Sequence, residues 1–332
     1  MDKIKKIKKI VAKEKWVSIV LATVCLTIIL SQLSPAFIQL DNLKNIFVQS
    51  SYTGIMAVGM TFIILTGGID ISVGAILFFT GSLFAQMVNS DVSAWAAIGI
   101  TIVCASLLGA LNGVLIVKTK MAPFITTLAT YNVYRGLALQ ITNAGNIPVP
   151  KSVGFLGTGK IIGIPVPTVL FIICLLVGVY LLQKTKFGTY IKAIGNSQKS
   201  ATESGLPVKT VTILAYTAGG FAAGLAALIL IGRIGGLQSG MGIGMEFTVI
   251  AAVVLGGTKL SGGSGTVFGS VIGAIFLILI NNGLNLMEAS PFIYDTVKGL
   301  ILIVAVVVDR ISSLRQSKAM LEQKAERIRH AV

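Results

Sequence analysis

The sequence predicts an all-α polytopic membrane protein of about ten transmembrane segments, with an inverted repeat and at least one short or re-entrant helix. Composition is the first observation behind this class. Of 332 residues, 54% are hydrophobic and 12% charged, where a soluble domain carries roughly a quarter charged residues. Mean hydropathy is +0.89. The second observation is that the apolar runs are continuous and close to 20 residues long. That is the length a helix needs to cross a hydrocarbon core about 30 Å thick. A barrel strand would instead alternate apolar and polar residues over about ten positions. The third is the placement of the +15 net charge. Seven lysines crowd "MDKIKKIKKIVAKEK", and a second basic cluster is the tail "DRISSLRQSKAMLEQKAERIRHAV". Both flank apolar spans, as the positive-inside bias and contact with anionic lipid require, so no nucleic-acid partner is implied.

The apolar segments run over 16–33, 45–66, 72–89, 94–117, 122–141, 165–183, 210–231, 246–258, 266–286 and 293–309. The first resembles a signal-peptide core but is kept as a span, because many spans follow it. The eighth is short for a crossing. With the lysine-rich end in the cytoplasm, span 4 ends inside at "KTK", span 6 ends inside at "KTKFGTYIKAIGNSQKS", and span 10 ends inside at Arg310. All the large basic clusters then fall on one side, with both termini cytoplasmic. The chain divides into a basic N-terminus (1–15), a membrane domain (16–310) and a basic tail (311–332). The Gly- and Pro-rich stretch 142–164 faces outward, and 184–209 is a long cytoplasmic loop. Ala201 and Gly205, four apart, would share a flat helical face suited to docking another protein. "TGGIDISVGAI" after span 2 is echoed by "RIGGLQSGMGIG" after span 7. Those spans run in opposite directions, the arrangement of an inverted repeat with spans 2–5 answering 7–10.

No catalytic cluster is visible. Cys25, Cys104 and Cys174 sit singly in apolar runs, His330 has no partner for metal work, and no metal site is implied. "GFLGTGKI" misses the phosphate loop GxxxxGK[ST] because Ile161 replaces the hydroxyl that would bind magnesium. The membrane-embedded polar residues are Asp70, Asn112, Asn132, Arg135, Glu246, Asn281, Asn282 and Asn285. Amides outnumber charges, which suits passage of an uncharged polar solute better than coupling to an ion gradient. Asp70, Asn112, Glu246, Asn281, Asn282 and Asn285 are therefore candidates for the pathway or the packed core. Asp70, in the knot "TGGIDISVG", would cap the next helix or touch solute. Gly265, Gly269 and Gly273 recur every fourth residue, as one smooth helical ridge would.

The blocks "GMTFIILTGGIDISVGA" (59–75), "AIGNSQKSATESGLPVK" (193–209) and "AAVVLGGTKLSGGSGTVFGSVIGAIFLILINNGLNLM" (251–287) together resemble the membrane permeases of ribose-type bacterial ABC importers. The resemblance runs from about 45 to 310. It implies a permease in the bacterial cytoplasmic membrane that works as a pair, homodimeric or heterodimeric. Two cytoplasmic ATP-binding subunits would drive it, and an extracytoplasmic sugar-binding protein would deliver the solute. No cofactor belongs to this chain; ATP and magnesium would bind the partner. The resemblance also implies an ATPase-docking loop carrying Ala193, Gly195, Asn196, Ala201, Gly205 and Val208, where "SATESG" loosely matches the docking pattern of other importers. Related permeases carry ribose, xylose, galactosides or autoinducer-2, and "LQSGMGIGMEF" (237–247) departs from the ribose pattern, leaving the solute open. The rival classes are a stand-alone secondary carrier or channel and a membrane enzyme acting on lipids. The purified chain alone is expected to hydrolyse no ATP; hydrolysis that disappears on Lys160→Ala would overturn this.

Overall fold

The computed structural model describes residues 15–290, 292–307 and 311. The basic segments 1–14 and 312–332, on which the cytoplasmic placement of the termini rests, lie outside the described residues.

Each of the ten apolar segments is helical. They are α1 (Lys15–Leu33), α2 (Leu40–Leu65), α3 (Val73–Asn89), α4 (Ala94–Thr119), α5 (Pro123–Thr142) and α6 (Val166–Lys184). After two short helices, α7 (Lys186–Asn196) and α8 (Gln198–Glu203), follow α9 (Val208–Ile234), α10 (Met245–Leu255) and α11 (Val267–Leu286). The last, α12, covers 292–307. Among the described residues, six are long and apolar enough to cross a membrane: α1, α2, α4, α6, α9 and α11. At 17 and 11 residues, α3 and α10 are shorter. The 11-residue α10 rises only about 16 Å. It is the segment whose shortness the sequence announced, and it stops at Leu255 because Gly256 caps it.

The centre of the molecule is α2, which is buried at nearly every position from Ser50 to Leu65. In contrast, α1 lies against α11 with few of its residues buried. Against α2 packs α9, and α9 also covers α3 and α4. Small residues bring these backbones together. Gly59 of α2 meets Ala222 and Gly219, and Gly109 of α4 meets Gly220. Without a hydrophobic drive between helices in lipid, such close packing supplies much of the association.

One order of elements occurs twice. A long helix, α2 or α9, ends in a glycine turn with positive φ, Gly67 (+82°) or Gly235 (+82°). A short helix (α3 or α10) and two further helices follow. The two starts meet, because Gly74 of α3 lies directly on the backbone of Gly242 ahead of α10. The loops after α5 and α9 are joined by an antiparallel pair, β1 (Ile147–Pro148) with β4 (Gly236–Leu237). A hairpin of β2 (Lys160–Ile161) and β3 (Ile164–Pro165) precedes α6. In the stretch resembling a phosphate loop, Gly157 is pressed onto the backbone of Gly232 and Arg233. Its N–H bonds the Gly154 carbonyl at 2.9 Å, so no anion cradle forms there.

The glycine ridge is corrected in one respect. Gly265 precedes α11, whose N-cap is Thr266, and packs on Thr258. Gly269 and Gly273 do share a helical face. That face is used within the subunit, against the backbone of Gly256 and Ala252 at the end of α10. Gly273→Leu should therefore overpack the α10–α11 contact by about 1–3 kcal/mol and lower the unfolding midpoint in detergent. Gly99→Ala, whose new Cβ would meet nothing within 4 Å inside α4, is the control, expected to unfold no earlier than the parent and to gain up to about 1 kcal/mol of helix propensity.

Candidate functional site

The polar knot 66–72 carries a network of buried hydrogen bonds. Asp70, Ser72 and Asn112 are fully buried. One oxygen of Asp70 accepts both the N–H and the hydroxyl of Ser72, each at 2.7 Å. This is an Asx turn leading into α3. The Asn112 amide of α4 donates to Ser72 Oγ at 2.7 Å and reaches the second Asp70 oxygen at 3.5 Å. Tyr134 of α5 donates its hydroxyl to Asn112 Oδ1 at 3.1 Å. The Thr127 hydroxyl, one face with Tyr134, accepts the Ile71 N–H at 3.1 Å. Tyr216 of α9 reaches the Ile69 carbonyl at 3.5 Å. Three helices thus hold one loop. Asp70 was expected to cap α3 directly, but the N-cap position belongs to Ser72, and Asp70 fixes that residue from two positions upstream.

A second carboxylate lies across the α3–α10 contact. Glu246, 3% exposed, sits in the first turn of α10, and its Oε1 accepts the Gly244 N–H at 3.3 Å. Its Oε2 lies against Gly74 without a hydrogen-bond partner. Arg135 stacks its guanidinium 5.1 Å from the centre of the Phe78 ring and donates to the Ser239 carbonyl at 3.3 Å. Both carboxylates therefore occupy the positive ends of short helices.

The candidate amides separate into different roles. Asn282 of α11 exchanges two hydrogen bonds with Asn42 of α2, at 2.7 and 3.1 Å, and is a helix-packing residue. Asn281 faces a cavity of about 260 Å³ shared with Tyr52, Thr248, Tyr294, Asp295 and Lys298. Asn285 is exposed, so the stripe inferred from Asn281 and Asn285 is not one continuous lining. Asn132 is also exposed and bonds only the carbonyl of Leu128, at 2.9 Å.

The loop 184–209 is folded, not open. In α7, Gly188, Ile191 and Ile194 turn inward. Ser197 caps α8 by accepting the Ser200 N–H at 3.2 Å. Ala201 and Val208 are buried, and Ala193 and Gly195 are half-buried. Asn196 and Gly205 are exposed. The flat face expected from Ala201 and Gly205 is not formed. Ala201 points into the core, whereas Gly205 lies beyond the end of α8 with φ of +73°. Gly195 instead contacts Leu65, Gly262 and Gly263, and Gly262 rests on Gly67. The Gly263 N–H bonds the Leu65 carbonyl at 3.0 Å. Between this loop and the α4–α5 turn lies a cavity of about 800 Å³, with Thr66, Gly67, Lys120, Gln198 and Thr202 among its walls.

Sequence reasoning missed Ser72, Thr127, Tyr134 and Tyr216. The seven-residue spacing of Thr127 and Tyr134 was an available signal for one polar helical face. Tyr216, alone in an apolar helix, gave none.

The family model that matches the chain, over residues 42–306, is described as a branched-chain amino acid transport system permease component. The ribose import permease protein of Bacillus subtilis strain 168 is 43% identical over 291 residues, covering 87% of this chain and 90% of its own. The ribose import permease protein of Escherichia coli strain K12 is 38% identical, covering 87% and 92%. The D-allose transport system permease protein of the same strain is 37% identical, covering 86% and 88%. No solved structure matches the chain.

The two Asp70 substitutions should separate. Asp70→Asn keeps an acceptor for Ser72 and should leave most stability. Asp70→Leu strips partners from Ser72 and Asn112 and should cost about 3 kcal/mol or more, measured by denaturant unfolding in micelles. Equal loss of transport in both variants at normal folded levels would instead assign Asp70 to solute contact.

Proposed function

This chain belongs to the family of branched-chain amino acid transport system permease components, and from that premise we propose that it carries a neutral sugar, ribose or a related monosaccharide, into a bacterial cytoplasm. It is a multi-pass membrane subunit of an ATP-driven importer, and hydrolysis belongs to its partners. The observation that carries the ribose assignment is the 43% identity to a ribose import permease across 87% of the chain. The likeness to a D-allose permease keeps a hexose as the second solute.

The internal chemistry supports a neutral solute. In carriers built from broken helices, the positive ends of half-helices bind anionic substrate groups. Here Asp70 and Glu246 occupy those ends from within the chain. What remains for a solute is amides, hydroxyls and aromatic rings, which match sugar hydroxyls and the apolar faces of a sugar ring.

The subunit works with a second permease subunit, two ATP-binding subunits carrying ATP and magnesium, and an extracytoplasmic sugar-binding protein. Ten crossings, related as an inverted repeat, place both termini in the cytoplasm. The recurrence of long helix, glycine turn and short helix in the two halves supports that repeat. The loop 184–209 meets the ATPase. Its contact through Gly195 with both Leu65 and Gly263 gives motion at that loop a backbone path into each half.

Purification from its native membrane should bring an ATP-binding subunit with the chain, and vesicles should accumulate ribose only when that subunit and ATP are present. Ribose uptake with this chain alone would replace the importer by a stand-alone carrier. Thr202→Trp adds bulk at an exposed position of α8 without a left-handed backbone to strain. It should leave the folded level unchanged and reduce ATP-driven uptake by about tenfold or more. Normal uptake would remove this loop as the docking element.

A further inference from the structure

We propose that the hairpin of β2 and β3 inserts its tip into the lipid headgroup layer, Ile162 foremost, and so anchors the start of α6 to a membrane that contains anionic lipid. The inference goes beyond the importer reading and needs neither ATPase nor solute.

Ile162 unites two observations that seldom coincide. It is 98% exposed, more than any other large apolar residue among those described. Its φ is +50°, in the left-handed region. Pairing of Ile161 with Ile164 leaves a two-residue turn, Ile162–Gly163, and Gly163 has a φ of +80°. A hairpin turn with positive φ at both central residues selects Asn-Gly or Asp-Gly. A β-branched side chain there crowds its own backbone and is an outlier. The other described residues with a side chain and positive φ are Asp91, Lys120, Asn143, Ala144 and Glu288, none of them β-branched. Strain of this kind persists only where something outside the turn offsets it. The rest of the subunit does not, because it leaves this side chain almost wholly bare.

The rest of the hairpin serves the same end. Residues directly opposite across a strand pair share a face, so Ile161 and Ile164 stand together, 44% and 49% exposed. Lys160, opposite Pro165, takes the other face. Lys160 and Ile161 close the stretch that resembles a phosphate loop, and here they form β2. The Val166 N–H bonds the Gly159 carbonyl at 2.9 Å, which ties the base of the hairpin to the first residue of α6. That helix is a span whose Ile172, Ile173, Leu176 and Val177 are exposed, the surface a bilayer covers. The tip is therefore held at the level where a span leaves the hydrocarbon.

The occupant follows from charge and position. Between 142 and 165 the chain has two lysines, Lys151 and Lys160, and no acidic residue. Anionic headgroups complement that charge. In the ten-crossing topology proposed above, α4, α6 and α12 all start on one side of the membrane. Trp95 and Phe292, at the heads of α4 and α12, are also largely exposed. Aromatic side chains so placed mark the interfacial layer, and the hairpin is their counterpart at the head of α6. A soluble delivery protein would cover the tip only while docked and leave the isoleucine in water otherwise. Lipid covers it throughout.

The test reads depth in the bilayer. The full chain, with Cys25, Cys104 and Cys174 replaced by alanine, carries one nitroxide on a single introduced cysteine. It is reconstituted in vesicles of phosphatidylcholine, with or without phosphatidylglycerol. Collision of the nitroxide with oxygen, which concentrates in lipid, is compared with collision with a water-soluble nickel complex. Ile162→Cys and Ile164→Cys should give oxygen-to-nickel ratios between those of Ser152→Cys, in water, and Leu176→Cys, in hydrocarbon. Phosphatidylglycerol should raise the ratio at 162, and Lys160→Glu should abolish that rise. Ile162→Asn suits the turn better, yet it should shift a label at 164 toward water. A ratio at 162 equal to that at 152 overturns the proposal, and shielding that appears only when the delivery protein is added does the same. Protection at 162 from both reagents, the mark of burial against protein, also overturns it. An unchanged ratio at 164 in Ile162→Asn overturns the insertion of Ile162, and a ratio indifferent to phosphatidylglycerol overturns the anionic preference.

Discussion

The fold is organised around an ionisable group that the membrane interior disfavours. Asp70 is fully buried, and its carboxylate is tolerable only if its oxygens are bonded. The Asx turn with Ser72 meets part of that demand locally, and Asn112 meets the rest from α4. Asn112 is in turn held by Tyr134 from α5. A loop between α2 and α3 therefore dictates where α4 and α5 stand. Buried polar networks of this kind are costly when incomplete and rigid when complete. That rigidity gives α3 a defined start, and the start of α3 is what α10 packs on through Gly74 and Gly242.

Glycine does for the loop that carries α7 what the carboxylate does for the interior. At Gly195, Gly262 and Gly67, three chain segments approach at backbone distance. One belongs to α7, one follows α2 and one follows α10. Any side chain there would separate the folded loop from the helices it touches. The contact joins the loop to the same knot that orders α3. Gly262 carries a φ of +86°, which a side chain would also oppose.

The polar residues of the spans serve two ends that look alike in sequence. Asn282 and Asn42 satisfy each other between helices. Asn281, one residue earlier, faces a cavity with aromatic and charged walls. The difference is a rotation of one residue about the helix axis. No property of the amide itself separates the two, which explains why Asn281, Asn282 and Asn285 formed one candidate group before the packing was known.

The sequence by itself determined the class, the ten apolar segments, the shortness of α10 and the family. Each rests on local composition or spacing: hydrophobic length, charge asymmetry, glycine turns and quoted blocks of residues. Only the tertiary structure decided which partners those residues meet. Ala201 read as a docking surface and lies in the core, because α8 ends before Gly205 and the two never share a face. Gly269 and Gly273 read as one smooth ridge without a stated neighbour, and the neighbour is the end of α10. Tyr216, which nothing in the sequence marked, reaches the knot from 147 residues away. Periodicity along one helix states which residues share a face. What lies opposite that face depends on contacts between segments far apart in the chain, and the order of residues within one segment does not carry that information.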